Sequence, residues 1–164
     1  MHMRIGVLSD THIPRRARVI PSEVFEGFSG VELIIHAGDL VSPEVLSELS
    51  VIAPVHAVYG NMDPPEVRQL LPRTRTVEVG DWRIGVVHGD GKAGTTVQRA
   101  RRAFDEVHCV VFGHSHRPLC ERQEDGVLLF NPGSPTDRRS SPWFSYGILT
   151  LSAAGVDGKV VYFS

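Results

Sequence analysis

Short apolar runs alternate along the chain with polar stretches that contain glycine, proline and serine. Runs in which consecutive positions are apolar are typical of strands that are buried on both faces of a sheet. The first half of the chain separates these runs by segments with helix-start signals, whereas the second half separates them mostly by turns. We predict strands, in chain order, over 4–9, 31–36, 51–59, 75–79, 83–87, 107–112, 117–122, 126–130, 144–151 and 159–163.

Serine, threonine and proline mark the starts of the predicted helices, as N-cap and first-turn residues do in proteins. These helices span 22–28, 42–49, 64–71 and 97–104. Gly80 and Asp81 lie between two predicted strands and indicate a hairpin turn. A half with alternating strands and helices, followed by a half that is mainly strand, predicts an α/β fold with layered, mixed sheets.

Composition narrows the class of protein. The chain has 164 residues, and we expect one domain over 1–164 with a sizeable core. Its formal net charge of -2 argues against bulk attraction to nucleic acid, and no apolar run approaches the length of a membrane span. The N-terminus leads directly into a strand without a signal peptide, so we expect a cytoplasmic protein in which Cys109 and Cys120 are buried, reduced thiols.

Candidate metal ligands follow the ends of five apolar strands. Because sites in layered α/β proteins form at the carboxyl ends of strands, loops leaving one edge can bring these side chains together. A single Asp or His after a strand is ordinary turn chemistry, but five such strand ends are hard to attribute to chance. The candidates are Asp10, His12, Asp39, Asn61, His88, His114 and His116.

The chemistry of this set is consistent across its members. Imidazole nitrogens combined with carboxylate and amide oxygens suit manganese, iron, zinc, nickel or cobalt, rather than a structural zinc held by thiolates. Seven ligands exceed the needs of one tetrahedral ion and predict two divalent ions that share a carboxylate. Two such ions with only two carboxylates keep a positive charge, which favours an anionic substrate such as a phosphate ester. We expect a hydroxide that bridges the metals to attack phosphorus in line with the leaving group.

The ordered motifs resemble those of the calcineurin-like metallophosphoesterases. The resemblance covers residues 4–134, and the short chain is similar to the small prokaryotic phosphodiesterase branch, to which the retromer scaffold subunit is related. It rests on Asp10-Thr11-His12, Gly38-Asp39, Gly60-Asn61-Met62-Asp63, His88-Gly89 and Gly113-His114-Ser115-His116.

The resemblance implies a four-layer α/β/β/α sandwich of two mixed sheets flanked by helices. It implies that Asp10, His12 and His116 hold one metal and that Asn61, His88 and His114 hold the other, with Asp39 bridging. It also implies phosphodiesterase activity that manganese or nickel commonly supports, with manganese our first expectation. We expect catalysis to depend most directly on Asp39, Asn61 and His114.

One position departs from the wider superfamily. Many members carry a histidine directly after the asparagine, where it is thought to protonate the leaving group, and this chain has Met62 there. A thioether cannot donate a proton. We therefore expect poor turnover of esters with basic alkoxide leaving groups and better turnover of aryl esters.

Several neighbouring residues have two open interpretations. Arg15 and Arg16, with Arg18, either contact the substrate at the mouth of the site or form a solvated basic loop; Arg138 and Arg139 are weaker candidates. Asp63 either hydrogen-bonds its own turn or orients a ligand. The segment 131–134 is predicted primarily as a turn that lies near the site.

Two classes of function remain for this sequence. The first is a phosphoesterase acting on a small phosphate ester, and the intact set of seven ligands favours it. The second is a scaffold that uses the same fold for protein contacts with little or no catalysis. A nuclease ranks lower because the charge is near neutral, and the sequence leaves a homo-oligomer open.

Overall fold

Two five-stranded sheets form the centre of the computed structural model, which describes residues 2–164. The strands and helices follow in the order β1 (His2–Leu8), α1 (Ser22–Gly27), β2 (Leu33–His36), α2 (Glu44–Ser50), β3 (Val55–Ala57), α3 (Pro65–Leu70), β4 (Thr74–Val79), β5 (Trp82–Val87), α4 (Thr96–Arg102), β6 (Cys109–Val111), β7 (Leu119–Arg122), β8 (Leu128–Asn131), β9 (Phe144–Ser152) and β10 (Gly155–Phe163).

Both sheets are mixed. The first has the order β10-β9-β1-β2-β3, in which β1, β2 and β3 are parallel and β9 pairs antiparallel with β1 and β10. The second has the order β4-β5-β6-β8-β7, in which β5, β6 and β8 are parallel and the two outer strands are antiparallel to their neighbours. Parallel strands place their carboxyl ends at one edge, and that edge carries the site described below.

Apolar side chains on the facing surfaces of the two sheets form a common core. Ile5 and Ile35 of the first sheet belong to the same buried cluster as Ile84 and Phe130 of the second. The opposite surface of the first sheet packs against α1, α2 and α3, and that of the second packs against α4. The predicted four-layer α/β/β/α sandwich is therefore confirmed. Burial on both surfaces explains why the central strands are continuously apolar.

Two strands differ most in length from their predictions. The predicted strand 51–59 is reduced to β3, because the backbone amides of Ile52 and Ala53 bond to Leu49 and continue the turn after α2. The last strand begins at Gly155 instead of at residue 159, because it pairs with β9 from Gly155 onward. Its first part contains polar and glycine residues, so the apolar pattern did not predict a strand there.

The predicted burial of both thiols is wrong for one of them. Cys109 is buried in the central strand β6, but Cys120 is exposed on β7, which lies at the edge of its sheet. An edge strand has one open side, so an apolar-looking residue there need not be covered. Across residues 2–164, no helix combines the length and the apolar character needed to cross a membrane.

Candidate metal centre

Backbone hydrogen bonds draw the strand-end loops of both sheets together. The amide of Asp10 donates to the carbonyl of Gly38 at 2.9 Å, which joins the loops that follow β1 and β2. The amide of Gly113 donates to the carbonyl of His88 at 3.0 Å, which joins the loops that follow β5 and β6. Between the two sheets, the amide of His114 donates to Asp10 Oδ2 at 3.0 Å. The loops therefore form one continuous edge around the candidate ligands.

Two carboxylates lie among the imidazoles. Asp10 Oδ1 is 3.8 Å from His12 Nε2, 3.6 Å from His88 Nε2 and 3.4 Å from His116 Nε2. Asp39 Oδ2 is 3.6 Å from His12 Nε2 and 3.0 Å from His88 Nε2. Each carboxylate thus faces histidines that come from both sheets, which is the position a shared ligand requires.

The four histidine rings form two pairs. The rings of His12 and His116 have centroids 5.3 Å apart, and those of His88 and His114 have centroids 5.2 Å apart. Asn61 Oδ1 lies 3.2 Å from His114 Nδ1, on the side of the second pair. His114 and His116 are neighbours in the sequence but lie in different pairs, as expected if they serve different ions.

The arrangement fits a bound cation because its inward atoms lack protein partners. Within residues 2–164, five buried side-chain nitrogen or oxygen atoms have no hydrogen-bond partner, and four of them converge here: Asp10 Oδ1, His12 Nε2, His88 Nε2 and His116 Nε2. An unsatisfied buried polar atom costs roughly 1–3 kcal/mol. Four such atoms in one place, two carboxylates and several imidazoles are the donor set of a divalent transition-metal site.

Hydrogen bonds on the outer nitrogens orient two of the rings. His88 Nδ1 lies 2.8 Å from the carbonyl oxygen of Ala37, and His116 Nδ1 contacts the carbonyl oxygen of Asp137. A carbonyl can only accept, so each Nδ1 carries the proton and donates it. In the neutral ring, each Nε2 then has a lone pair directed into the site, which is the tautomer a metal ligand needs.

The buried carboxylates favour a positive charge beside them. Burial by itself would raise the pKa of Asp10, but His88, His116 and His12 lower that pKa well below its usual value. Burial would lower the pKa of His88, yet the carboxylates of Asp10 and Asp39 raise it to about 9. Both shifts come from carboxylates and imidazoles that face one another, and these are the groups that would bind a metal ion.

Backbone strain is concentrated in the same residues. Five of the seven candidate ligands have left-handed backbones: φ is 56° at Asp10, 45° at His12, 60° at Asp39, 71° at His114 and 61° at His116. Such conformations cost residues with a Cβ of order 1–3 kcal/mol each and persist only where the surroundings enforce them. Strain of this kind gathers at binding and catalytic sites.

Two glycines permit close contact with the carboxylates. A Cβ at Gly60 would overlap Asp39 Oδ1, and a Cβ at Gly113 would overlap Ser9 Oγ and press on Asp10 Oδ2. The glycines that precede Asn61 and His114 are therefore required by space rather than by turn geometry alone.

Comparisons with known proteins agree with this geometry. Residues 3–154 match the sequence profile of the calcineurin-like phosphoesterase superfamily domain. The chain belongs to the calcineurin-like phosphoesterase superfamily.

The chain is similar to individual proteins in sequence and in structure. It is 43% identical over 162 residues to a protein of Methanothermobacter thermautotrophicus named probable metallophosphoesterase, covering 97% of this chain and 92% of the relative. It is 30% identical over 145 residues to a phosphodiesterase of Methanocaldococcus jannaschii, covering 80% and 83% of the two chains. The structure of Vps29 complexed with Zn²⁺ from Entamoeba histolytica is similar with a TM-score of 0.75 and 25% identity, covering 99% and 100% of the two chains.

The loop between β8 and β9 supports the ligand loops by hydrogen bonds. Ser134 Oγ donates to the carbonyl of Asp10 at 2.8 Å, and Thr136 Oγ1 donates to the carbonyl of Thr11 at 2.6 Å. Asn131 Nδ2 donates to the carbonyl of Gly113 at 3.2 Å. The predicted turn 131–134 thus braces both ligand loops. The contributions of Thr136 and Asp137 were not predicted, and the only signal for them was the polar character of the loop.

His36 lies buried beneath the ligand loops. The amide of Gly38 donates to His36 Nδ1 at 3.1 Å, so Nε2 carries the proton and donates it to Thr11 Oγ1 at 3.1 Å. Burial lowers the pKa of His36 to about 3. Both nitrogens are satisfied in the neutral form, so His36 holds two loops together and has no free lone pair for a metal.

Asp63 connects two ligand loops. Its Oδ2 accepts from the amides of Asp39 at 2.9 Å and Gly60 at 2.8 Å, and its Oδ1 accepts from the amide of Val41 at 2.7 Å. Both interpretations of Asp63 therefore apply, because it bonds its own turn and also fixes the backbone of Asp39. Burial, as the largest effect, raises its pKa, although these three amides oppose the shift.

We expect Asp63→Ala to lower the free energy of unfolding by about 3 kcal/mol, because it leaves three amides without their acceptor. Asp63→Asn keeps one carbonyl oxygen and should lose less. Urea unfolding of both variants measures the difference, with the exposed Asp81→Ala as the control. Equal stability of Asp63→Ala and Asp81→Ala would contradict the bracing role.

The site opens into a small cavity of about 170 Å³. Its lining includes Arg15 and Arg16, which are both predicted to contact the substrate. It also includes Arg139, a weaker candidate for that contact, and Met62. Arg16 Nε lies 3.4 Å from Asp137 Oδ2, whereas Arg139 Nη1 donates to the carbonyl of His114 at 3.3 Å. The lining residues are His12, Arg15, Arg16, Asp39, Asn61, Met62, His114, Asp137 and Arg139.

Proposed function

We propose that this chain is a dinuclear phosphodiesterase that hydrolyses a small phosphate ester. The observation that carries the proposal is the convergence of four buried, unpartnered ligand atoms at one edge of the two sheets. Family membership supports hydrolysis of a phosphate ester by a metal-dependent enzyme. The phosphodiesterase of Methanocaldococcus jannaschii supports preference for a diester.

The two histidine pairs suggest how the ligands divide. We assign Asp10, His12 and His116 to one ion, because these three residues bring their ligand atoms within 4.8 Å of one another. We assign Asn61, His88 and His114 to the other ion. Asp39 is the proposed bridge because its Oδ2 faces His12 and His88, which belong to different sets. Asp10 also reaches His88 and supports both sets from its buried position.

Two divalent ions in this position would polarise the phosphoryl oxygens and lower the pKa of a coordinated water. The protein's own part is to hold the ligands and to limit the space. The amide of Met62 donates to Asp39 Oδ1 at 2.8 Å, which fixes that carboxylate and leaves Oδ2 directed to the histidines. The amide of His114 fixes Asp10 in the same way. Preorganised charges of this kind do not need to rearrange during the reaction.

The mixed nitrogen and oxygen ligands suit manganese, nickel, iron, zinc or cobalt, and the family resemblance makes manganese the first expectation. The relative from Entamoeba histolytica was crystallised with Zn²⁺. Manganese binds most weakly of these metals at such ligands, so it exchanges readily during reconstitution.

The function can be tested by measuring hydrolysis of bis(p-nitrophenyl) phosphate. The protein is first stripped of metal and then given each of the five metals in turn. We expect activity only after metal is added, and a higher kcat/KM for this diester than for p-nitrophenyl phosphate. A folded protein that binds metal but hydrolyses neither ester with any of the five would refute the proposal.

The alternative is a protein-binding scaffold of the same fold, and the similarity to Vps29 is the observation in its favour. Metal binding without hydrolysis would support the scaffold. The full set of seven candidate ligands favours the enzyme, because a scaffold does not need strained ligand backbones around unpartnered atoms.

A further inference from the structure

Two arginines at the cavity carry charges that the protein does not neutralise. Arg15, Arg16 and Arg139 all line it, and Arg16 is paired with Asp137. Neither Arg15 nor Arg139 has a carboxylate within 4.0 Å among residues 2–164. The opening of the cavity therefore has two guanidinium groups without a carboxylate partner, beside a site that would attract anions once it holds two divalent ions.

Arg139 is exposed to solvent, and one hydrogen bond ties its side chain to a ligand loop. Its backbone is left-handed, with φ of 50°, and its Nη1 bonds to the carbonyl of His114. That bond uses one of the five N–H donors of a guanidinium, and no other acceptor for Arg139 occurs in residues 2–164. The remaining donors form a fork that matches a phosphate or carboxylate.

The size of the cavity limits what it can enclose. At about 170 Å³ it is smaller than the roughly 300–1,000 Å³ of pockets that enclose drug-sized ligands. It has room for the reacting phosphoryl group and the first atoms of its ester arms, so the rest of the substrate must cross the opening. Charge is distributed unevenly around the opening. Met62, with 44% of its surface exposed, is uncharged, whereas the two arginines are cationic.

We propose that Arg15 and Arg139 form a subsite for a second anionic group of the substrate. The substrate class is then a phosphodiester in which one ester arm carries a further phosphate, phosphonate or carboxylate close to the reacting phosphorus. This inference rests on the proposed function and adds the chemical class of its substrate. Arg16 is excluded from the pair because Asp137 already neutralises it.

Two chromogenic diesters that differ only in the charge of one ester arm measure the effect of a second anionic group on kcat/KM. Both have p-nitrophenol as leaving group, and the other arm is 2-phosphonoethyl in one and 3,3-dimethylbutyl in the other. These arms have nearly the same shape but differ in charge. We expect kcat/KM to be at least about 10-fold higher for the phosphonate, as charge-assisted bonds to arginine would give.

Substitution of the arginines tests whether they cause the preference for the phosphonate diester. Arg15→Gln and Arg139→Gln should each reduce the ratio of the two kcat/KM values by roughly 3–10-fold, and Arg139→Lys should keep part of it. Arg18→Gln is the control, since Arg18 is an exposed arginine of the same loop that does not line the cavity. A ratio near one in the parent protein, or a ratio that both glutamine variants preserve, would overturn the subsite. The second result would mean that the metals alone select the phosphonate.

The phosphate monoesters that remain after loss of p-nitrophenol allow the subsite to be tested by binding, independently of the proposed hydrolysis. Calorimetry with metal-loaded protein compares 2-phosphonoethyl phosphate with 3,3-dimethylbutyl phosphate. If neither diester is hydrolysed but the phosphonate binds more tightly and loses that advantage in Arg139→Gln, the subsite stands and the proposed activity fails. If hydrolysis occurs but neither kcat/KM nor affinity responds to the second charge, the activity stands and the subsite fails.

Discussion

Asp39→Asn is expected to lower kcat/KM for bis(p-nitrophenyl) phosphate by about 10³-fold, or about 4 kcal/mol of transition-state stabilisation. The substitution removes one of the two carboxylate charges of the site and replaces an oxygen that faces His12 and His88. A neutral amide holds two adjacent divalent ions much less well than a carboxylate does.

The shape of the site should survive this change. The new amide side chain can still accept the N–H of Met62 through its one carbonyl oxygen, so a large loss of activity would report lost charge rather than lost folding. Asp81→Asn is the control, because Asp81 is exposed in the hairpin turn between β4 and β5. His114→Ala should also be severely impaired. Hydrolysis by both site variants at the parent rate would end the catalytic assignment.

The rate of hydrolysis should fall steeply as the pKa of the leaving group rises. Met62 lines the cavity, and the resemblance to the wider superfamily implies a histidine at this position; the thioether of methionine has no proton to give. General acid catalysis contributes typically about 10²–10⁴-fold, and esters with basic alkoxide leaving groups need it most. We therefore expect rates to fall by at least this factor from p-nitrophenyl to alkyl leaving groups, because alkoxides are intrinsically poorer leaving groups and receive no proton from Met62.

A series of diesters with leaving groups of rising pKa measures this dependence. Met62→His should raise the rates of alkyl esters by about 10-fold or more while changing p-nitrophenyl esters little, because only poor leaving groups need the proton. Met62→Leu is the matched control, with similar volume and no donor. A flat dependence in the parent protein would mean that another group already acts as the acid.

The positions of the candidate ligands could be predicted because they follow buried strands. A strand buried on both faces is apolar at consecutive positions, so its end is visible in the sequence, as at Asp10, Asp39 and His88. The carboxyl ends of parallel strands share an edge, and this topology brings the side chains together without further information. The edge of the fold and the residues on it were thus accessible from the pattern alone.

The supporting loop was harder to predict. Ser134 and Thr136 bond to the carbonyls of residues more than 120 positions away in the sequence, and no local pattern encodes such a contact. Arg139 enters the cavity through a left-handed backbone in an irregular loop, where arginine is a rare choice. The ends of the apolar strands therefore indicated the candidate ligands, whereas the residues that support those candidates and line the opening required the folded structure.

The division of His114 and His116 between two metals is the most specific feature of the proposed site. Their rings lie in different histidine pairs, each about 5 Å from a ring contributed by another strand-end loop. If the pairs serve different ions, two residues that are almost adjacent in the chain set the separation of the metals. No mononuclear arrangement would use them in this way.

Anomalous diffraction from crystals of the manganese-loaded protein tests this arrangement. We predict two manganese peaks, one coordinated by His12 and His116 and the other by His88 and His114, with Asp39 contacting both. A single manganese ion coordinated by both His114 and His116 would contradict the dinuclear site.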